Sequence, residues 1–196
     1  MTQGATAAFA HEWSVEVLSQ PPMIAPARQF IYPRQIAGEE DALARGALQL
    51  MVRPEAGGAF LASCALGYTD PSMPTGVFAC PNPAELCAVA GGYGYVIDTT
   101  QPERSTHIGL RPVVEAKPLP EHGLLLFLGF HTIVAWGREG LRWETARLSW
   151  EGVRITGVED GALHGFGWDM MTDKEIPFSV DLLTGRHLGG GYSQKS

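Results

Sequence analysis

The amino-acid sequence predicts an all-β protein made of many short antiparallel strands. Apolar residues recur at every second position in several segments, which is the period of a strand with one buried face. The chain also contains 24 glycines and 14 prolines, which are dispersed along its length, as expected for frequent turns between strands. Only residues 38–45 carry a helical pattern. Because parallel sheets need crossover helices, these observations exclude a parallel α/β architecture.

Each alternating segment predicts one row of core-facing side chains. In chain order the rows are Val15 and Val17; Leu48, Leu50 and Val52; Tyr93, Tyr95 and Ile97; and Phe178, Val180 and Leu182. The segment from Leu124 to Trp136 is instead apolar at most positions, which is typical of a central strand pair covered on both faces. With turns at intervals of about 8 to 12 residues, the chain divides into roughly ten to twelve strands.

The first 45 residues are predicted to form a separate N-terminal segment. Within it, Gly38–Arg45 predicts one short helix, because three acidic residues lie in its first turn and Gly46 follows its last residue.

A strand–turn–strand unit recurs at intervals of about 41 residues over 46–191. Its turns are marked by Gly57, Asp98, Glu139 and Asp181. This is the period of a four-stranded propeller blade, so we predict a single domain over 1–196 with an irregular or small propeller-like assembly. A β-sandwich or a barrel is the alternative architecture.

Two segments resemble known β-proteins. Val180–Arg186, with the sequence VDLLTGR, resembles the outer hairpin of quinoprotein-type propeller blades, in which Asp begins the turn and Thr-Gly ends it. Residues 132–145, with the sequence TIVAWGREGLRWET, are similar to a pattern seen in uncharacterised bacterial all-β proteins. The resemblance covers about residues 91–191. Its matched residues belong to turns and strands, so it implies a shape and no activity.

The charge and hydropathy of the chain limit its partners. A formal net charge of −7 argues against nucleic acid, because phosphate binding requires a concentrated excess of Lys and Arg. The longest strongly apolar run, Gly123–Phe130, is much shorter than the roughly 20 residues that span a bilayer. The N-terminus lacks the positive region and long apolar stretch of a secretory signal. We therefore expect a cytoplasmic protein with no membrane partner.

Three cysteines, Cys64, Cys80 and Cys87, are an odd number for a disulfide framework. Free cysteine is among the most buried residue types, so we expect buried thiols in a reducing compartment. A zinc site would need a second pair of ligands at metal-binding spacing, which the sequence lacks. The prediction is therefore no metal site and no cofactor.

Two histidines are the candidate acid–base residues. His131 interrupts an apolar stretch, where it could serve as a ligand or a general base, and His107 is the second candidate. For His131 the alternative, which we favour, is a core histidine bonded to a backbone carbonyl.

The segment Gly165–Asp169, with the sequence GFGWD, places Trp168 beside Asp169. An aromatic ring next to a carboxylate is the combination that carbohydrate sites use, which makes both residues candidate ligand-binding residues. The alternative, which we favour, is a strand end at which Asp169 caps its own turn and Trp168 packs in the core.

Three functions follow from these observations. The leading prediction is a non-enzymatic module that binds a protein or a small polar ligand through loops on a β scaffold, such as Gly67–Pro83 and Pro112–Glu121. The alternative is a hydrolase or lyase acting on a sugar or another polar small molecule, in which a histidine works with Trp168 and Asp169. A structural homo-oligomer subunit, with sheet edges completed by a second copy, is the third.

Overall fold

The computed structural model describes residues 5–24, 26–33 and 42–192. These residues form four four-stranded sheets, and none of their helices exceeds four residues. The all-β prediction is thus confirmed. The chain divides into two compact units, Met1–Val113 and Val114–Ser196, and each unit contains two of the sheets. The prediction of a single domain over the whole chain stays a prediction.

The first unit has eight strands within the described residues. They are β1 (Trp13–Leu18), β2 (Gln29–Tyr32), β3 (Ala47–Pro54), β4 (Phe60–Ala65), β5 (Gly76–Ala79), β6 (Glu85–Ala90), β7 (Tyr93–Asp98) and β8 (Ser105–His107). Strands β5 to β8 form an antiparallel meander in chain order. The other sheet has the order β1-β3-β4-β2, and β2 joins β4 in parallel.

The second unit has eight strands in its described part. They are β9 (Glu115–Leu119), β10 (Leu124–Leu128), β11 (Ile133–Gly137), β12 (Gly140–Glu144), β13 (Val153–Glu159), β14 (Ala162–Asp169), β15 (Lys174–Asp181) and β16 (His187–Gly189). They form two meanders, β9 to β12 and β13 to β16, in which every pairing is antiparallel. All four sheets of the described chain are open, with two edge strands each.

The predicted core-facing rows are confirmed in three strands. Leu48, Leu50 and Val52 are buried in β3, where the residues between them are half-buried. The rows of β7 and β15 are buried as well. The central apolar pair is β10 and β11, which lie in the middle of their sheet and are buried along their whole length. The row in β1 is wrong at Val17, which is 45% exposed, whereas Val15 is half-buried and packs against the core.

The described residues contain sixteen strands, more than the ten to twelve that turn spacing predicts. The additional strands are short or rich in residues that are uncommon in strands. Strands β8 and β16 have three residues each, and β9 contains Lys117 and Pro118. All three are edge strands, where short length and Pro are tolerated because one row of backbone groups needs no partner strand.

The described residues include three short 3₁₀ helices, Thr6–Ala8 ahead of β1, and Ala42–Arg45 and Pro120–His122 between strands. The predicted helix over Gly38–Arg45 lies partly outside the described residues, and its described part is the second of these 3₁₀ helices. Across the described ranges, no helix is both long enough and apolar enough to cross a bilayer.

The marker residues of the 41-residue period occupy equivalent turns in three sheets. Asp98, Glu139 and Asp181 lie at the turns that join the third and fourth strands, namely β7–β8, β11–β12 and β15–β16. Gly57 lies in the turn between β3 and β4. The period therefore coincides with one sheet per repeat in this part of the chain.

Two of these turns also share their hydrogen bonds. The Asp98 carboxylate accepts from the amide and hydroxyl of Thr100, and the Asp181 carboxylate accepts from the same groups of Thr184. In each turn the amide of the aspartate also donates to an arginine carbonyl, from Asp98 to Arg104 and from Asp181 to Arg186. An aspartate that satisfies its own turn in this way fixes where the strand ends.

Each unit has a core to which both of its sheets contribute. The first core contains Tyr32 and Tyr95, whose hydroxyl groups donate to the carbonyls of Pro102 and Ala65 at 2.7 and 2.8 Å. These bonds satisfy polar groups that would be costly to bury alone. The second core is mainly aliphatic, with the three leucines of β10 that face it at its centre.

Candidate functional site

Four hairpin turns of the second unit gather at one end of it. In an antiparallel meander, alternate turns lie at the same end of the sheet. The turns β9–β10, β11–β12, β13–β14 and β15–β16 therefore project from one end of their sheets, and two cavities are lined by turns from both sheets. We call this the turn end, defined by residues 119–124, 137–142, 158–161 and 181–186.

The larger cavity at the turn end has a volume of about 450 Å³, which is within the size range of small-molecule sites. Its lining residues are His122, Gly123, Leu124, Gly137, Arg138, Glu139, Gly140, Leu141, Arg142, Leu182 and Leu183. Two of its leucines are unusually accessible: Leu141 is 62% exposed and Leu183 is 73% exposed. The cavity thus combines apolar surface with a small set of charged groups.

Arg138 and Arg142 supply the positive charge of this cavity, against one carboxylate, that of Glu139. Arg138 lies in the β11–β12 turn, which closes through Gly140 at a φ of +107°, a conformation that favours glycine. Arg142 follows on the edge strand β12. Within the described residues, neither guanidinium has a hydrogen-bond or ion-pair partner. Both remain able to bind an anion, and a planar guanidinium fits a carboxylate well.

The wall formed by the β15–β16 turn is held in place by Trp143. This ring is 7% exposed, and its Nε1–H donates to the Leu182 carbonyl at 2.7 Å. The same ring lies against Gly185, where an added Cβ would come within 2.9 Å of it. Gly185 has a φ of +71°, so both its conformation and the close approach of the ring require glycine.

The opposite end of the second unit is organised around Arg147. Its guanidinium donates to the carbonyls of Ser149 and Trp150 at 2.9 and 3.0 Å. It also lies over the rings of Trp150 and Tyr192, at 5.0 and 4.6 Å from their centroids. We call this the Arg147 end, formed by residues 129–132, 145–152, 169–173 and 190–192. At this end the arginine side chain stabilises the fold, because its donors are used within the protein.

His131, a predicted site residue, lies at the Arg147 end. It is exposed, and its Nδ1 is 3.3 Å from Nη2 of Arg147. The interpretation as a core histidine is wrong, because the apolar stretch is divided by the β10–β11 turn, which contains His131 and places it at the surface.

Trp168 and Asp169, the candidate ligand-binding pair, lie at the end of β14. The Asp169 carboxylate accepts hydrogen bonds from the Thr172 hydroxyl and the Met171 amide, and these bonds hold the pKa of its carboxyl below the usual value. Asp169 therefore caps its own turn, as favoured. Trp168 is half-buried rather than in the core, and its Nε1–H donates to Asp173 at 3.0 Å. Among the described residues, no hydrogen bond joins either side chain to His131.

His107, the other candidate base, lies on β8 in the first unit. Its ring stacks on Tyr95 with centroids 4.8 Å apart, and it approaches Tyr93 at 5.0 Å. Both ring nitrogens are buried. The structure therefore places a half-buried His107 in contact with two tyrosine rings.

The three cysteines are free and buried in the first unit. Burial raises the pKa of each thiol well above its ordinary value, so thiolate is scarce at neutral pH. In the described part of the chain, no group of three or more potential ligands is arranged to hold a metal ion.

Sequence reasoning missed the arginines of the turn end. The Glu139-Gly140 turn was predicted, and Arg138 and Arg142 flank it. No local pattern indicates that these side chains lie beside the Thr184-Gly185 turn, because the two hairpins belong to different sheets.

The fold and the cavity together define a class, an all-β protein with a charged and apolar cavity between hairpin turns. No protein-family model matches the chain, and a search of curated proteins finds no match either.

Proposed function

We propose that this protein is a non-enzymatic binding module that takes a small organic anion with an apolar body at its turn end. The observation that supports the proposal is the cavity of about 450 Å³, in which two guanidinium groups face solvent beside exposed leucines. A carboxylate could pair with Arg138 and Arg142 while an alkyl chain covers Leu141 and Leu183. This is the usual composition of ligand sites, which are apolar surfaces with a few polar groups that fix orientation.

The arrangement favours binding over catalysis. Acid–base or nucleophilic chemistry needs a pair of groups placed within hydrogen-bonding reach of each other or of the substrate. In the cavity the groups suited to that work are His122 and Glu139, and no hydrogen bond joins them in the described structure. Guanidinium groups remain protonated in proteins and serve as fixed anion partners.

The test is isothermal titration calorimetry of the protein with octanoate at low ionic strength, with octanol as the uncharged comparison. Octanoate should bind more tightly than octanol, and its affinity should fall as salt is added. The double variant Arg138→Gln/Arg142→Gln should weaken octanoate binding by about tenfold, about 1.4 kcal/mol.

The matched control is Arg104→Gln, which removes an exposed arginine from the turn between β7 and β8 that does not line the cavity. It should leave octanoate affinity unchanged. The proposal is overturned if octanoate does not bind, or if the double variant binds it as well as the native protein does.

The architecture and location belong to the same proposal. The three meanders, their 41-residue period and the shared Asp98 and Asp181 turns support propeller-like blades. An experimental structure in which the sheets do not surround a common axis would contradict this.

The proposed location is the cytoplasm, because three buried free thiols suit a reducing compartment. Recovery of the protein in an extracytoplasmic fraction would contradict the location.

A further inference from the structure

A second cavity adjoins the first at the turn end. It has a volume of about 340 Å³ and lies between the turns β9–β10 and β13–β14. His122 lines both cavities, so the two are neighbours along one surface. Apolar side chains line the second cavity as well, from Leu119, Pro120 and Val158. One elongated ligand could therefore contact apolar surface in both.

The charge of the second cavity is opposite to that of the first. Its ionisable lining residues, apart from His122, are three carboxylates, Glu121, Glu159 and Asp160. All three are exposed, and none has a hydrogen-bond or ion-pair partner among the described side chains. Asp160 lies in the β13–β14 turn with a φ of +49°, a left-handed conformation that Asp and Asn tolerate. The surface thus changes from positive to negative across His122.

We infer that the ligand of the turn end is a zwitterion, with a carboxylate and an ammonium group separated by an apolar chain. This inference rests on the proposed function, since it places the carboxylate on Arg138 and Arg142 as before. It adds that the ammonium group lies in the second cavity, near Glu159 and Asp160. Opposed charges of this kind also fix the direction in which a ligand binds.

The test compares three probes of equal chain length by calorimetry: octanoate, octylamine and aminooctanoate. The amino group of aminooctanoate is at the end of the chain opposite the carboxylate. Aminooctanoate should bind about threefold or more tightly than octanoate, because it adds a favourable but solvent-screened charge pair. Octylamine should bind less tightly than aminooctanoate, since it leaves the guanidinium groups without an anion. In a series from aminohexanoate to aminododecanoate, affinity should pass through a maximum where the chain matches the distance between the two charged regions.

Variants locate the ammonium group. The double variant Glu159→Gln/Asp160→Asn should lower the affinity for aminooctanoate until its ratio to that for octanoate is about one. Asn at position 160 tolerates the left-handed backbone, so the turn is kept. Glu144→Gln, an exposed carboxylate on β12 that lines neither cavity, is the control and should keep the ratio of the native protein.

The outcomes separate this inference from the proposed function. If octanoate binds in an arginine-dependent way but aminooctanoate binds no more tightly, the zwitterion inference is overturned and the anion site stands. If no probe binds, the proposed function fails. Trileucine distinguishes the two sources of such a ligand: tighter binding than aminooctanoate indicates a short peptide, and weaker binding indicates a free amino acid with a terminal ammonium group.

Discussion

Arg147 and Arg142 lie at opposite ends of the second unit and have opposite surroundings. Arg147 donates to two backbone carbonyls and lies over the rings of Trp150 and Tyr192. Arg142 lines a cavity and has no side-chain partner in the described chain. An arginine whose donors are already used stabilises the fold, whereas one whose donors are free can contribute to binding. The difference separates a structural end from a candidate binding end within one pair of sheets.

The largest expected effect on stability is at Trp143, whose ring holds the β15–β16 turn in place. Trp143→Ala should reduce the free energy of unfolding by about 3–5 kcal/mol, because it removes a buried ring beneath the β15–β16 turn. Trp143→Phe keeps a ring but loses the donor to the Leu182 carbonyl, and it should cost about 1–3 kcal/mol.

Chemical denaturation followed by tryptophan fluorescence measures these changes, because four of the five tryptophans lie in the second unit. Since Trp143 is itself one of the reporters, far-ultraviolet circular dichroism is the check. A cost below about 1 kcal/mol for Trp143→Ala would show that the ring does not hold the turn.

The next effect tests the two arginines against each other. Arg147→Met keeps an apolar stem over the rings but leaves the Ser149 and Trp150 carbonyls without this donor, so it should cost about 1–3 kcal/mol. Arg142→Met should change stability by less than about 0.5 kcal/mol. The urea midpoints of the two variants are compared at equal slope.

Arg147→Lys is a sharper form of this test. Lysine keeps the charge but lacks the planar fork, so it should recover only part of the loss. If Arg147→Met and Arg142→Met cost the same, the two ends do not differ in the way proposed.

Much of the fold could be predicted because it depends on local pattern. The alternation in β3 and the doubly apolar pair β10–β11 identify buried strands directly. The parallel pairing of β2 with β4 could not be predicted, because its register joins residues 29–32 to 61–64 across an intervening strand. No local signal encodes a contact over that separation. Short edge strands such as β16 could not be predicted for another reason, because three residues are too few to show a period of two.

The candidate site was harder to predict, because side chains at the ends of different hairpins meet only in three dimensions. The Asp169 turn was interpreted correctly as a self-capped turn, since an Asx turn involves neighbouring residues. The prediction that His131 lies in the core was wrong because the apolar residues on both sides of it gave no sign of the β10–β11 turn. Arg138 and Arg142 belong to no motif, and sequence cannot reveal that their guanidinium groups have no partner in the described chain.

The smallest expected effect is on the acid dependence of stability, and it is measured at one aspartate of the turn end, Asp181, and one of the Arg147 end, Asp169. Thr184 holds the pKa of the Asp181 carboxyl below its ordinary value through its hydroxyl and amide, and Thr172 does so for Asp169 mainly through its hydroxyl. A carboxyl whose pKa is lower in the folded state stabilises above its unfolded pKa of about 3.9, and that contribution is lost as pH falls through the folded pKa. Asp181→Asn and Asp169→Asn should therefore be less stable than the native protein at neutral pH, and the difference should disappear in acid.

Salt should separate the two positions. The positive charge of Arg186 also lowers the pKa of Asp181, whereas the pKa of Asp169 is lowered by hydrogen bonds alone. Added salt should therefore reduce the effect of Asp181→Asn slightly and leave that of Asp169→Asn unchanged, because screening weakens an exposed charge pair more than a short hydrogen bond. Urea midpoints measured across the acid range at low and high salt give both values. Equal salt dependence at the two positions would show that Arg186 does not act on Asp181, and that hydrogen bonds alone lower the pKa of both carboxyls.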